Sequence, residues 1–576
     1  MRLVVDRVDV RAVVPGAFEV AWRSTPDGGI EWSVANAADA PLALEAVAIV
    51  WLVVDAEAPL RMFRHGYQSW SPCGVSTLGV DDDPSRTPGA HPISMGMHHA
   101  DAAPAAAGEL RSELVTAVAD ASGVHVVAGF LGGAEHDGTF RLSERDDGRV
   151  ELRAEAYFGG AVLGSGEVRA LHEIWVAEGE GDPSPLLESW AAAAGEAAQA
   201  RVDAPFQVGW CSWYHYFWYV TEDDLRANLA RAGDWPFEVF QLDDGYQPAI
   251  GDWLATNADF PSDLDVLASS IAASGVTPGL WIAPFVAGPG SDVADAHPDW
   301  FARHEASGRP LIGMVNPGWV PYGAAANGVV HTLDTTNPEV LAHLEHVGAS
   351  LVEAGFPYLK LDFTYAPSYR GAYADPSLTP AQRVRAGYDA IRRGAGNDAF
   401  LLGCGAPLGA TIGVVDGMRI GADVAPWWHA KADPSGPRGY EGGEPATVNA
   451  WRATLTRSFL HRRLWLNDPD CLMLRTKETA LTPDAVRAWA LAVGVSGGMA
   501  LVSDDLALLD AEARTLLDDV IALGRASDAA SRAPGGSPPR CPDLLERSTP
   551  HRLVAAHDEL VGDPDAATAF VQPRLV

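Results

Sequence analysis

The spacing of apolar and polar positions changes character along this chain. Leu3 to Val14, Phe18 to Trp22, Ile30 to Val34 and Leu42 to Val54 are Val- and Ala-rich runs, several of them alternating. Alternation with period two predicts strands that bury one face. Phe140 to Glu144 and Val150 to Tyr157 flank Asp146-Asp147-Gly148, a hairpin turn signal. Many short strands without intervening helices predict a β-sandwich over residues 1–184. Pro185-Leu-Leu-Glu-Ser-Trp190 and the Ala-rich sequence after it predict a linking helix within 185–203.

From Phe206 the rhythm becomes apolar run, turn, capped amphipathic stretch. The runs are Phe206–Ser212, Val239–Asp243, Gly279–Phe285, Tyr358–Asp362, Phe400–Cys404, Met418–Ala422, Arg463–Asn467 and Met499–Ser503. Between them, Thr221 precedes Leu225 and Leu229, and Ser262 precedes Leu264, Leu267 and Ile271, a stretch closed by Gly275. Asn337-Pro338, Thr379-Pro380 and Thr482-Pro483 each set an N-cap before a first-turn proline, while Gly355 and Gly394 stand at C-cap positions. Eight such units predict a (β/α)8 TIM barrel over residues 204–525. The connection from Val286 to Thr336 is long and rich in Gly, Pro, Trp and His, and reads as an elaborated loop of functional type. A further helix after residue 510 leads to Ala533-Pro-Gly-Gly-Ser-Pro-Pro539, and residues 526–576 are expected to form a small C-terminal β domain.

Charge interrupts this pattern at particular places. In Phe356-Pro-Tyr-Leu-Lys-Leu-Asp-Phe363 a Lys and an Asp, two residues apart and so on one face, sit in a strand otherwise buried on both sides. Buried charge is costly unless paired or used, so a structural ion pair and an active-site group are both open readings of Lys360 and Asp362. The same strand ends carry Asp243 and Asp244, Trp281, Arg419 and Asp423, and Asn467-Asp-Pro-Asp470. Several carboxylates with a Lys, an Arg and a Trp at the C-terminal rim of a barrel point to an active site. Gly209-Trp-Cys-Ser-Trp-Tyr-His-Tyr-Phe-Trp-Tyr219 adds an aromatic wall with Trp213 and Tyr214 as rim candidates. In the N-terminal region, Phe63 to Pro72 is aromatic and polar, a loop displaying Tyr67 and Trp70, although a large core residue is the plainer reading of Trp70.

Composition narrows the chemistry. The 576 residues hold 76 acidic and 41 basic side chains, a formal charge of -35. That balance disfavours nucleic acid and anionic membranes as partners. No apolar run spans a bilayer and the N-terminus carries no signal-peptide pattern, so a cytoplasmic protein is expected. Five scattered cysteines without C-x-x-C spacing suggest neither a disulfide framework nor a zinc site. His98-His99, His215, His297 and His331 follow no metal-binding spacing, and no P-loop or G-x-G-x-x-G is present. Asp243, Asp244, Asp468 and Asp470 could ligate a hard cation, but no metal and no cofactor is expected. Sugar chemistry, with two carboxyls in opposed roles, hydroxyl-binding polar groups and aromatic faces, matches the inventory better.

The motifs Gly66-Tyr-Gln-Ser-Trp-Ser71, Gly209 to Phe217, Phe240-Gln-Leu-Asp-Asp244, Pro278-Gly-Leu-Trp-Ile-Ala-Pro284, Tyr358 to Phe363, Gly403-Cys-Gly405, Asp416 to Asp423 and Trp465 to Cys471 share order and spacing with one family. In these the sequence resembles the α-galactosidases of glycoside hydrolase family 36, over most of the chain. The resemblance implies a sandwich, a catalytic barrel and a small C-terminal β domain, and a retaining, exo-acting double displacement. It implies Asp362 as nucleophile in K-x-D and Asp423 as acid/base in R-x-x-x-D. Asp243 and Asp244 would bind the 4- and 6-hydroxyls, Lys360 further hydroxyls, and Arg419 the 2-hydroxyl. Trp281 would lie near the ring, Trp70 would close the pocket from the N-terminal domain, and Cys404 joins the substrate-binding set. Asn467, Asp468 and Asp470 would support these groups. The Lys360 ammonium is expected to favour an ionised Asp362. The expected substrate is a small soluble α-galactoside of melibiose or raffinose type, with an oligomer left open. An α-N-acetylgalactosaminidase, an α-galactosyl transferase and a non-catalytic carbohydrate-binding protein are the alternatives.

Overall fold

A computed structural model describes residues 1–86, 92–430, 443–533 and 535–537. Two antiparallel sheets form the N-terminal part. In the first, Arg2–Ala12, Leu42–Val54, Val150–Leu163, Asp137–Glu144 and Leu110–Glu113 lie in that order. The predicted hairpin closes with Glu144 opposite Val150, and Gly148 at its turn takes a φ of +80°. The second sheet includes Ile30–Asn36, Ile174–Glu180, Val124–Phe130, Val115–Ala119 and Arg61–Arg64. Phe130 and Phe140, one from each sheet, meet at 5.1 Å in the shared core.

The linking helix is Ser184–Ala197, and small residues let it lie close to both neighbours. Its Trp190 donates Nε1–H to the Phe130 carbonyl at 3.1 Å, and a Cβ on Gly129 would come within 2.2 Å of that nitrogen. A Cβ on Gly195 would lie 2.1 Å from the Arg463 carbonyl on the barrel side.

Eight parallel strands follow: β1 Val208–Cys211, β2 Val239–Leu242, β3 Thr277–Ile282, β4 Tyr358–Leu361, β5 Phe400–Gly403, β6 Gly417–Arg419, β7 Leu466–Asp468 and β8 Ala500–Val502. Each overlaps one of the eight apolar runs. Neighbours pair in chain order from β1 to β7, and β8 pairs with β1. The Met499 N–H donates to the Asn467 carbonyl at 2.9 Å across the remaining seam. Thr221 forms a capping box with Asp224, and Asn337, Thr379 and Thr482 cap helices that begin with proline.

Three expectations need correction. Asp263 rather than Ser262 is the N-cap of Leu264–Ala273, because the Ser262 hydroxyl donates instead to Glu222 Oε1 at 2.7 Å. The helix Pro380–Ala395 ends at Gly396, with φ of +80°, not at Gly394. Gly394 serves close packing, since a Cβ there would lie 1.9 Å from the Glu345 carbonyl of the helix Pro338–Glu353. The C-terminal β domain expected from residue 526 begins inside the helix Ala511–Arg532. That helix continues because it buries Leu517, Val520 and Ile521, and because Asp528 takes Arg462 Nε and Nη2 at 2.6 and 3.0 Å. The rest of the expected domain, 538–576, lies outside the described residues.

The Val286–Thr336 connection folds into a small antiparallel sheet, Val286–Ala287, Val329–Thr332 and Ile312–Val315, with a 3-10 turn at Pro317–Tyr322. Among the described residues no helix is long and apolar enough to cross a membrane.

One buried carboxyl in the first sheet makes stability depend on pH. Asp137 is 5% exposed and its Oδ2 has no hydrogen-bond partner. Burial, reinforced by Glu113, raises its carboxyl from the ordinary 3.8 to about 8. The folded state therefore keeps a proton that the unfolded state releases, so stability falls as pH rises from 3.8 to about 8. Asp137→Asn should flatten this decline and raise the apparent Tm at pH 8 by at least ~3 °C. Thermal unfolding of both proteins at pH 5 and pH 8 checks it; equal slopes in wild type and variant would refute it.

Candidate active site

The C-terminal ends of β2, β3, β4 and β6 turn their charged and aromatic residues toward one mouth. Strand alternation puts Gln241 and Asp243 on one face of β2. Asp243 Oδ2 receives Lys360 Nζ at 2.9 Å and Gln241 Nε2 at 2.6 Å, while its own N–H donates to Ser212 Oγ at 2.9 Å. Burial would lower the Lys360 ammonium, but Asp243 outweighs it and holds the lysine well above its usual range.

Asp362, 6% exposed, is fixed by two donors, Trp281 Nε1–H to Oδ2 at 3.0 Å and Phe363 N–H to Oδ1 at 2.8 Å. Phe363 adopts φ of +51°, a strained left-handed conformation that turns the chain directly after the carboxylate. Lys360 favours the ionised form of Asp362, as expected, but it is not the largest influence. Burial pushes the Asp362 carboxyl up and exceeds the opposing pull of Lys360 and Trp281, with Asp423 and Asp243 adding to the rise. Lys360 makes its direct contact with Asp243 instead.

Asp244 belongs to a separate arrangement. Trp319 Nε1 donates to its Oδ2 at 2.7 Å and Gln247 Nε2 to its Oδ1 at 2.6 Å. Burial raises this carboxyl to about 7 against those two hydrogen bonds. The Trp319 ring packs edge-on to Phe363 at 4.8 Å and tilted to Trp281 at 6.4 Å, so the 286–336 connection forms one wall of the mouth.

On β6, Arg419 is 1% exposed and Asp423 follows one turn of chain later. Arg419 Nη2 donates to Asp423 Oδ1 at 2.6 Å, to the Tyr214 hydroxyl at 2.8 Å and to Asp470 Oδ2. The Tyr214 hydroxyl in turn donates to Asp470. Burial pushes the Asp470 carboxyl up to about 7 against the pull of Arg419. The Asp423 side chain is 31% exposed, the most open of these carboxylates. Cys404 is buried, with its sulfur 4.0 Å from Arg419 Nη1. Among the described residues no group of three or more potential ligands is arranged to hold a metal ion.

Trp70 crosses the domain boundary. Its ring lies edge-on to Phe363 at 5.1 Å and to Tyr365 at 6.1 Å. A Cβ on Gly405 would meet Trp70 at 2.8 Å and Asp362 Oδ1 at 3.0 Å, so only glycine, here at φ of +49°, fits between ring and carboxylate. The Ser69 N–H donates to the Ala406 carbonyl at 3.2 Å and the Leu408 N–H to the Tyr67 carbonyl at 3.0 Å, docking the segment on the loop after β5. Tyr67, expected on display, is buried instead with Ala46, Ala100 and Tyr157. Trp213 is half-buried and packs within its own aromatic segment, edge-on to Phe217 at 5.2 Å.

This arrangement offers several buried carboxylates held by donors, one more exposed carboxylate on a cation, and polar groups among aromatic faces. Residues 208–365 match the melibiase family model. An α-galactosidase of Thermus thermophilus, TtGalA, solved in complex with stachyose, is 28% identical, covers 89% of this chain and 97% of its own, and superposes with a TM-score of 0.68. By fold and by motif the chain is similar to the α-galactosidases of glycoside hydrolase family 36. The family 36 α-galactosidase AgaA of Geobacillus stearothermophilus shares the fold, with a TM-score of 0.59 at 14% identity, covering 90% of this chain and 68% of its own. In sequence alone, AgaA is 31% identical over 97 residues, 16% of this chain and 13% of the relative. An A type blood α-D-galactosamine galactosaminidase of Flavonifractor plautii is 26% identical over 217 residues, 36% of this chain and 20% of the relative. The chain's matched segments thus span one fifth or less of those two curated relatives.

Trp319, Gln247 and Gln241 escape the sequence reading. Trp319 lies in the long connection whose aromatic content marked it, but nothing in the sequence pairs it with Asp244, 75 positions away.

Trp319 also yields a test. Its indole N–H favours the ionised form of Asp244, so Trp319→Phe should raise the Asp244 titration midpoint from about 7 by about one unit. Carboxyl 13C NMR of aspartate-labelled protein reads this directly; an unchanged midpoint would show that the contact does not act on the carboxylate.

Proposed function

We propose that the protein is a retaining, exo-acting α-galactosidase that removes terminal α-linked galactose from small soluble oligosaccharides. The observation that carries this reading is the pair of carboxylates at one barrel mouth: Asp362, buried and clamped by Trp281 and the Phe363 N–H, and Asp423, more open and set on Arg419. In the first step Asp362 attacks the anomeric carbon from the face opposite the leaving group. The glycosidic bond breaks as Asp423 gives its proton to the departing oxygen. In the second step Asp423 takes a proton from water, the water oxygen attacks the same carbon, and the Asp362 ester bond breaks.

The remaining groups bind the sugar. Asp243 with Lys360, and Asp244 with Trp319, present acceptors and a donor for the 4- and 6-hydroxyls, while Arg419 and Cys404 face the 2-position. Trp281 and Trp70 supply apolar faces and Trp213 the rim, whereas Tyr214, expected there, is buried and bonds Arg419 and Asp470 instead. A pocket closed by a ring from a second domain suits a terminal residue rather than the interior of a polymer. TtGalA in complex with stachyose supports a small oligosaccharide as substrate. The formal charge of -35 fits action on imported sugars in the cytoplasm.

A second reading, hydrolysis of an α-linked galactosamine, draws on the 217-residue similarity to the Flavonifractor plautii enzyme. Initial rates on the p-nitrophenyl α-glycosides of galactose, glucose, galactosamine and N-acetylgalactosamine separate the readings. The galactoside should be preferred by at least about 100-fold over the glucoside, since the axial 4-hydroxyl contact is lost. Faster turnover of either amino sugar would replace this proposal, and raffinose should be cleaved faster than intact galactomannan.

The roles of the two carboxylates are distinguishable by one reagent. Asp362→Ala should lose more than ~10^4-fold in turnover, and azide should rescue it to β-galactosyl azide by attack opposite the leaving group. Asp423→Ala should lose about 10^2–10^4-fold on poor leaving groups and little in the glycosylation step on activated ones. Azide then attacks the accumulated intermediate and gives α-galactosyl azide. Exchange of the two anomers would reverse the assignment.

A further inference from the structure

A single nitrogen of Arg419 joins three acceptors from three different strand ends. Asp423 Oδ1 lies at 2.6 Å, the Tyr214 oxygen at 2.8 Å, and Asp470 Oδ2 completes the set. Asp470 Oδ2 also receives the Val424 N–H at 2.7 Å and the Tyr214 O–H, while Oδ1 receives the Cys471 N–H at 2.7 Å. Asp470 is thus surrounded by four donors, at 1% side-chain exposure against 31% for Asp423. Its backbone sits at φ of +91°, a conformation costly for any residue but glycine. The loop after β7 is strained to bring this carboxylate under the guanidinium.

Asp423 poses the question that this junction answers. A guanidinium in contact with a carboxylate favours the ionised form, yet a general acid must hold its proton until the glycosidic bond breaks. Arg419 alone would orient Asp423 and disarm it. A second, more deeply buried carboxylate on the same nitrogen cancels the cation's charge and leaves its geometry intact. We propose that Asp470, held by Tyr214, is a positioning residue that balances the charge of Arg419, so that Asp423 stays oriented by the guanidinium and still retains its proton. This rests on the reading of Asp423 as acid/base. Among the described residues, the other titratable groups that act on Asp423 are Asp362 from β4, Cys404 after β5 and Tyr214 after β1. None of these is a second anion in contact with Arg419.

The full-length protein and two substrates test the proposal. Melibiose needs a proton on its leaving group; 2,4-dinitrophenyl α-galactoside does not. Asp470→Asn keeps the side-chain shape and removes the charge. Its kcat/KM on melibiose should lose its alkaline limb at least one pH unit earlier than wild type, with a loss of tenfold or more at pH 7. The dinitrophenyl substrate should lose less than threefold in kcat/KM. Tyr214→Phe, which removes one donor from Asp470 and keeps the ring, should move the limb in the same direction by a smaller amount. Should Asp470→Asn fail to fold, as read by its thermal unfolding, Tyr214→Phe alone carries the test. Equal losses on both substrates, or an unmoved limb, would mean that Asp470 only braces the loop and would overturn the proposal. Asp423→Ala, measured in parallel, separates the two levels. If it shows no leaving-group dependence, the acid/base assignment fails and this inference with it; if it does while the limb stays fixed, only the role of Asp470 fails.

Discussion

Lys360 and Arg419 are buried cations, and each survives burial because a carboxylate from another strand end reaches it. Lys360 sits on Asp243 at 2.9 Å, and Arg419 lies between Asp423 and Asp470. Removing such charges from water is costly, and only close geometry with further hydrogen bonds makes up the cost. The extra bonds are present: Gln241 and the Asp244 N–H on Asp243, Tyr214 and two backbone N–H groups on Asp470. These pairs tie β2 to β4, and β6 to the segments after β1 and β7, at the end of the barrel where the strands would otherwise be free to splay. The mouth is held together by its own charged groups.

A third buried cation has a different task. Arg457 has no exposed surface and donates Nη1–H bonds to the Ser69 carbonyl at 2.8 Å and the Ile420 carbonyl at 2.7 Å. It thereby joins the N-terminal loop to the end of β6, and burial lowers it from its ordinary value. The position of Trp70 over Gly405 depends on this joint and on the backbone pairing of Ser69 with Ala406. A pocket wall contributed by another domain can be only as precise as the interface that carries it.

Strain gathers at the same mouth. Phe363 and Asp470, at φ of +51° and +91°, each follow or form part of an acidic strand end. Such conformations persist where surrounding packing over-determines them. The aromatic contacts of Phe363 with Trp70, Trp281 and Trp319 supply that packing around the first, and the donors on Asp470 around the second.

What the sequence determined by itself was whatever repeats locally. Period-two runs gave the sandwich strands, eight βα units gave the barrel, and the residues interrupting apolar strands marked Asp243, Trp281, Lys360, Asp362, Arg419 and Asp423. Those signals are local because strand alternation, N-caps and first-turn prolines act within a few residues. The cap at Gly396 and the helix continuing to Arg532 were decided by packing, since the Glu345 carbonyl and Arg462, the anchor of Asp528, lie far away in sequence. The partners of the charges were decided the same way. Lys360 stands two residues from Asp362 but bonds Asp243, 117 positions distant, and Asp244 is held by Trp319, 75 positions distant. Which cation meets which carboxylate depends on how strands sit side by side around a closed barrel, and no local pattern encodes that.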